Sequence, residues 1–108
     1  MADSLGELET LIILAVLRLG DDAYGVSIRD EIEERTGRRL TRGAIYTALR
    51  RLRAKGLLES EMSDPTPVRG GRAKRFFRPT PAGLAAVRRT TDQLDRMREG
   101  LDPLPSDG

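Results

Sequence analysis

The sequence predicts a mainly α fold (α+β) with three helices, a two-stranded hairpin and a long C-terminal helix. Three observations lead to it. Apolar residues recur at helical spacing in four segments punctuated by glycine or turn residues. After Gly56 the period changes from helical to alternating, and a stretch rich in proline and glycine divides two short extended runs. Charge is segregated as well. Residues 1–37 carry three basic and nine acidic side chains, residues 38–78 twelve and three, and residues 79–108 four and five. A middle segment of net +9 between acidic flanks is the electrostatic footprint of a nucleic-acid face. With 108 residues the chain holds a single modest core.

The first helix is expected from Ser4, which has capping-box spacing to Glu7, as far as Leu19 before Gly20. Leu5, Leu8, Ile12, Val16 and Leu19 form one stripe, while Leu11, Ile13, Leu14 and Leu17 spread apolar surface around the circumference. Part of that surface is expected to face a second subunit, the alternative being a central core helix in a monomer. A second helix follows the Asp21–Asp22 turn, over Tyr24 to Thr36, and stops at Gly37. Ile28 and Ile32 are its apolar pair, and Asp30, Glu31, Glu33 and Glu34 are expected to form its solvated face.

Residues Gly37 to Leu40 lead into the stretch that the rest of the chain serves, Thr41 to Leu58. Thr41 caps a third helix through its hydroxyl, and Gly56 ends it. Ile45, Leu49 and Leu52, with Ala48 beside them, make a narrow buried stripe. At 100° per residue the opposite face holds Gly43, Thr47, Arg50, Arg51 and Ala54, with Arg42, Tyr46 and Arg53 along one border and Lys55 along the other. Arginines on an isolated helix are commonly just solvated charge. Two helices joined by a short glycine-containing turn, the second of them basic, form instead a helix-turn-helix pattern.

Residues 57–63 and 74–79 are the two candidate strands, the second built around Phe76 and Phe77. Between them, Asp64 to Ala73 forms a loop tipped by Arg69, Gly70, Gly71 and Arg72, so the whole reads as a winged helix-turn-helix whose hairpin is the wing. Glycines beside arginines suit close approach to phosphate or a minor groove, the alternative being a merely flexible, solvated loop. Thr80 then caps a last helix with Pro81 at its first position, running to about Glu99 before Gly100. Leu84, Val87, Thr91 and Leu94 alternate by three and four, which favours a helix–helix contact between chains. The expected division is a DNA-binding domain over residues 1–80, a dimerisation helix over 81–100 and a disordered tail over 101–108. The expected dimer interface comprises Leu5, Leu8, Leu11, Ile12, Leu84, Val87, Thr91 and Leu94.

The composition narrows the function classes. The chain has neither cysteine nor histidine, which removes thiolate chemistry, the commonest general base and the commonest metal ligands. We therefore expect no metal, no cofactor and no enzymatic activity, since no nucleophile–base pair or phosphate-binding motif appears either. The longest apolar run, LIILAVL at residues 11–17, is too short to span a bilayer, so a cytoplasmic protein is expected.

Four motifs, in order, resemble the PadR family of bacterial transcriptional regulators, in the short form with a single C-terminal helix. They are Leu8 through Leu17, the Tyr24–Gly25 pair, the segment GAIYTALRRLRAKGLLES, and the wing and strand GRAKRFFRPTPAG. The resemblance covers about residues 5 to 95. It implies a homodimeric winged-helix repressor in which C-terminal helices pack with first helices. It further implies that the third helix enters the major groove while the wing touches the adjacent minor groove or backbone. Tyr46 matches the family's helix tyrosine, implied to contact phosphate or to buttress the helix, and Arg72 and Lys74 match its basic wing residues. Two departures stand out: Phe76–Phe77 where tyrosines are usual, and the absence of tryptophan. Some short members bind planar drugs between interface tryptophans, and that mode does not transfer here.

The leading expectation is therefore a sequence-specific regulator of transcription, a homodimeric repressor on double-stranded DNA. The expected DNA-binding residues are Thr41, Arg42, Gly43, Tyr46, Thr47, Arg50, Arg51, Arg53, Arg69, Gly70, Gly71, Arg72 and Lys74. Of these, Gly43, Thr47 and Arg50 are expected to face bases, and Arg42, Tyr46, Arg51, Arg53 and the wing arginines to hold phosphates. The alternative is a winged-helix module for protein–protein contact without DNA binding. Release of such a repressor by a small-molecule effector is left open: Leu11, Leu14 and the apolar side of the last helix offer the lining of a cavity between subunits, yet no residue marks a ligand's chemistry.

Overall fold

The computed structural model describes residues 5–63 and 73–106. Along them run helix α1 (Glu7–Leu19), a 3₁₀ turn (Gly20–Asp22), helices α2 (Gly25–Thr36) and α3 (Arg42–Ala54), strands β1 (Leu58–Met62) and β2 (Arg75–Pro79), and helix α4 (Pro81–Arg98). This is the element order of a winged helix-turn-helix. Ser4 and the wing tip, Arg69 to Arg72 included, lie outside the described residues.

The start of α1 differs from expectation. The helix begins at Glu7, after an extended Gly6, and the Glu9 carboxylate accepts the Gly6 N–H at 2.9 Å. Ser4–Glu7 and Gly6–Glu9 have the same spacing. The second wins because Glu9 is also anchored by Lys55, as described below.

The ends of the helix-turn-helix are set by local chemistry. Gly37 adopts φ 73° and donates its N–H to the Glu33 carbonyl, closing α2 by a single left-handed turn. The Glu33 side chain then accepts the Leu40 N–H at 2.9 Å, which fixes the turn. Glu31 takes Arg35 from its own helix and Arg18 from α1. Two of the four acids expected to be merely solvated therefore shape the domain. Thr41 accepts the Ala44 N–H at 3.0 Å and caps α3 as expected. At the other end Gly56 N–H bonds the Arg53 carbonyl and Leu57 N–H the Leu52 carbonyl, both at 2.9 Å, with Leu52 and Leu57 buried together.

Strands β1 and β2 pair antiparallel, Leu58 opposite Pro79 and Met62 opposite Arg75. β2 has a second neighbour, because Phe77 N–H donates to the Ala23 carbonyl at 2.8 Å and Tyr24 bridges to Phe76. The hairpin is thus stitched to the entry of α2. Leu58 and Phe77 fill the core, whereas Met62 at the far end of β1 is exposed.

The core gathers Ile12, Ile13 and Val16 of α1, Ile28 and Ile32 of α2, Ile45, Leu49 and Leu52 of α3, and Ala86 and Val87 of α4. α4 enters tightly: Thr80 hydroxyl donates to the Gly56 carbonyl at 2.6 Å, and a Cβ on Gly83 would stand 2.0 Å from the Leu57 carbonyl oxygen. Only a glycine fits there. Beyond Thr91 the helix leaves the domain, with Leu94 at 55% and Met97 at 77% exposure.

Three residues expected at a dimer interface are placed differently. Ile12 is 0% exposed, and Leu5 and Val87 are also buried within the chain's own core, so none of them presents surface to a partner. An apolar helix needs its best-shielded side for its own domain. The accessible apolar residues of α1 and α4 include Leu14, Leu17, Leu84, Leu94 and Met97, and of the other residues expected at the interface Leu8, Leu11 and Thr91 are half-buried.

Candidate nucleic-acid interface

Helix α3 packs by its narrow stripe and turns the rest of its surface outward. Ile45, Ala48, Leu49 and Leu52 are buried; Thr41, Arg42, Gly43, Tyr46, Thr47, Arg50, Arg51 and Arg53 are all exposed. A Cβ on Gly43 would meet no atom within 4 Å, so nothing in the domain itself fills the space above that backbone. Gly43, Thr47, Arg50 and Ala54 form the central line of the outward face.

The two flanks of this line are chemically different. On one side a cleft of about 500 Å³ separates α3 from β2 and the start of α2, lined by Tyr24, Tyr46, Arg50, Arg53, Lys74 and Arg75 among others. Tyr46 lies against the first turn of α2: a Cβ on Gly25 would fall 2.6 Å from its hydroxyl. Tyr46 therefore buttresses α3 against α2, while its ring stays partly exposed. At the foot of the wing, the Lys74 ammonium sits 4.3 Å from the centre of the Tyr24 ring, which meets Phe76 edge-on at 5.6 Å.

On the other side, a groove of about 680 Å³ lies between α3 and the start of α1, with Gly43, Thr47, Arg51 and Lys55 on one wall and Glu7 and Glu9 on the other. Lys55 Nζ pairs with Glu9 Oε2 at 2.9 Å, and Arg38 Nη1 with Glu7 Oε1 at 2.7 Å. Burial opposes ionisation of Glu9, but the Gly6 N–H, the Lys55 hydrogen bond and the charges of Lys55 and Arg51 outweigh it and hold the carboxyl below its usual value. Arg39, Arg42, Arg50, Arg51, Arg53 and Lys74 form no ion pair among the described residues. Among the described residues, most of the basic segment is without an ion pair.

The structure thus brings together the expected α3 residues and Lys74. Arg69, Gly70, Gly71 and Arg72 lie outside the described residues. Tyr24, Gly25 and Arg75 belong to the same surface and were not singled out for it by sequence; an aromatic–glycine pair at the start of the helix that precedes a tyrosine-bearing helix is a weak signal for such packing. Glu7 and Glu9 were equally silent, because their partners are distant in the chain. Among the described residues no cluster of potential metal ligands occurs, and no helix is long and apolar enough to cross a membrane.

Comparison with known proteins agrees with this architecture. Transcriptional regulator Rv3488 of Mycobacterium tuberculosis is 40% identical over 79 residues, covering 70% of this chain and 69% of that protein. A PadR family transcription regulator from Clostridium difficile R20291 superposes with a TM-score of 0.76, over 91% of this chain and 97% of that one, at 23% identity, a likeness of fold. A PadR family transcriptional regulator from Eggerthella lenta DSM 2243 gives a TM-score of 0.67 at 27% identity, over 94% of this chain and 88% of the other. The transcriptional regulator PadR-like family matches residues 13–89, from the core of α1 through the helix-turn-helix and wing into α4. On that match the chain belongs to the PadR-like family of transcriptional regulators.

Proposed function

We propose that the protein is a homodimeric repressor that reads a pseudopalindromic operator through α3. The observation that carries this reading is the outward face of α3: a glycine open to space, a threonine and arginines free of carboxylates among the described residues. Arginine pairs bidentately with guanine, and a bare glycine lets the helix backbone approach base edges closely. Gly43, Thr47 and Arg50 are the base-reading set. Arg42, Tyr46, Arg51, Arg53 and Lys74 hold phosphates and so fix register, joined by the wing residues Arg69, Gly70, Gly71 and Arg72. The exposed apolar residues of α1 and α4, Leu14, Leu17, Leu84 and Leu94, support pairing of two copies. Such a dimer would set its two α3 helices about 34 Å apart, one turn of DNA.

Release from the operator requires a ligand that binds the DNA-incompetent geometry more tightly than the competent one. The apolar groove of about 360 Å³ between α1 and α2, lined by Leu11, Leu14, Leu17 and Ile32, is the surface that suits a small apolar effector once a second copy encloses it.

The test is a footprint on the DNA upstream of the protein's own gene, followed by titration of the protected sequence. Replacing Arg50 by alanine is expected to weaken operator binding by roughly 1–3 kcal/mol and to relax sequence preference. An equal loss on random-sequence DNA at the same salt would take Arg50 out of base reading.

A further inference from the structure

The basic segment that begins at Arg38 is not uniformly free. Two of the three cations that line the groove on the side of α1, Arg38 and Lys55, are each held by a carboxylate from the first turn of that helix, across 31 and 46 residues of chain, whereas Arg51, among the described residues, is not. Those on α3's central line and on its wing side are not so held among the described residues. Glu9 is fixed for the task, since one of its oxygens accepts the Gly6 N–H and leaves the other for Lys55. Both pairs border the groove that Gly43 and Thr47 share.

Resting on the reading of α3 as the DNA-binding helix, we propose that Glu7 and Glu9 act as internal competitors of DNA phosphate. They hold Arg38 and Lys55 back from indiscriminate backbone contact and so raise the ratio of operator binding to non-specific binding. The reasoning is electrostatic. A cation already paired within the protein must break that pair to reach a phosphate, which reduces its gain from the DNA backbone. Ion pairs at the protein surface are weak. A well-seated operator complex can therefore displace the carboxylates where its geometry requires, whereas a poorly seated complex on random sequence gains too little to do so. Non-specific binding consists almost wholly of backbone contacts, so it suffers most from the withheld cations.

The experiment compares wild type with the double variant E7Q/E9Q on the footprinted operator and on a random-sequence duplex, by fluorescence anisotropy over a range of salt. Glutamine keeps an oxygen for the Gly6 N–H, so the start of α1 is preserved. The single variant E34Q serves as a charge control, because Glu34 is exposed on α2 and does not line this groove. We expect E7Q/E9Q to bind the random duplex roughly 2- to 30-fold more tightly, two surface pairs having been released. The logarithmic salt slope on that duplex should steepen by about 0.9 for each of the two cations. The operator-to-random ratio should fall, and E34Q should change the slope little. An unchanged slope on the random duplex, an equal effect from E34Q, or loss of binding to both duplexes in E7Q/E9Q would overturn the proposal while leaving the role of α3 intact. Failure of the wild type to bind either duplex at any salt would sink both.

Discussion

Gly43 separates stability from recognition, and its replacement by alanine is expected to move the two in opposite directions. It is the second residue of α3 after the Thr41 cap, its φ is not positive, and an added Cβ would meet nothing within 4 Å. Within the protein the methyl group is therefore free of strain, and it removes backbone freedom from the unfolded chain. A helix-interior substitution of this kind is worth about 0.5–1 kcal/mol. In the first turn the lower half of that range applies. For a domain of this size each kcal/mol shifts the melting temperature by about 4–8 °C, so a rise of roughly 2–6 °C is expected. In the complex the same methyl enters the space that α3 leaves open. Overpacking a closely fitted contact costs about 1–3 kcal/mol, or roughly 5- to 150-fold in operator affinity. Circular-dichroism melts and anisotropy titrations on the footprinted operator measure the two effects. A Gly43→Ala protein that melts higher yet binds the operator as well as wild type would remove Gly43 from the closest approach, and with it the orientation given to α3.

Gly83→Ala should do the reverse and damage the fold. Its Cβ would stand 2.0 Å from the Leu57 carbonyl oxygen, where ordinary contact is 3.4–4 Å, so backbone must move. A loss of about 3 kcal/mol is expected in urea or thermal denaturation; a melt within a degree or two of wild type would mean that α4 reseats freely. At the wing foot, Tyr24→Leu removes the ring under Lys74, worth about 0.5–1 kcal/mol, whereas Tyr24→Phe keeps it. If the ring acts by holding the ammonium, the DNA-affinity loss in Tyr24→Leu should vanish in a Lys74→Ala background and be absent in Tyr24→Phe; fully additive losses refute it. Glu9 gives a pH dependence. Its carboxyl is held below its ordinary value of 4.5, so its stabilisation is complete above that pH and is lost as pH falls through the lower folded value. Glu9→Gln should flatten the acid limb of the stability curve, and superimposable limbs would count against the Lys55 and Gly6 contacts.

What the sequence disclosed and what it withheld divide by the range of the forces involved. The α3 boundaries were legible because Thr41 and Gly56 act on backbone groups within a few residues, and Ile45, Leu49 and Leu52 repeat at the helical period. The start of α1 was not, since Ser4–Glu7 and Gly6–Glu9 have identical spacing and Lys55, far along the chain, reinforces the second. Glu31 and Glu33 looked solvated for the same reason: Arg18 and the Leu40 N–H reach them only after the chain has turned. Leu5, Ile12 and Val87 expose another limit. Periodicity marks a side chain as apolar and assigns it to a face, but when a helix is apolar nearly all round it does not say which face its own domain takes.

The same division governs the candidate interface. Helical geometry alone placed Gly43, Thr47 and Arg50 on the outward line of α3, and the fold leaves that line open. Sequence placed Arg42, Tyr46 and Arg53 along one border and Lys55 along the other, without showing what faces them. Folding makes them unlike, because α1 brings two carboxylates to one border and β2 brings Lys74 and Arg75 to the other. Among the described residues, an approaching polyanion therefore meets cations without ion pairs on the wing side and, on the α1 side, Lys55 and Arg38 already paired, with Arg51 alone unpaired there. That asymmetry favours a tilt of α3's partner toward the wing, where Arg53 and Lys74 stand ready, and makes contact beside Lys55 conditional on displacing Glu9. A cross-linking or charge-reversal series along both borders should consequently find stronger effects at Arg53 than at Lys55. Equal effects would mean that the pairing of Lys55 has no bearing on how DNA is seated.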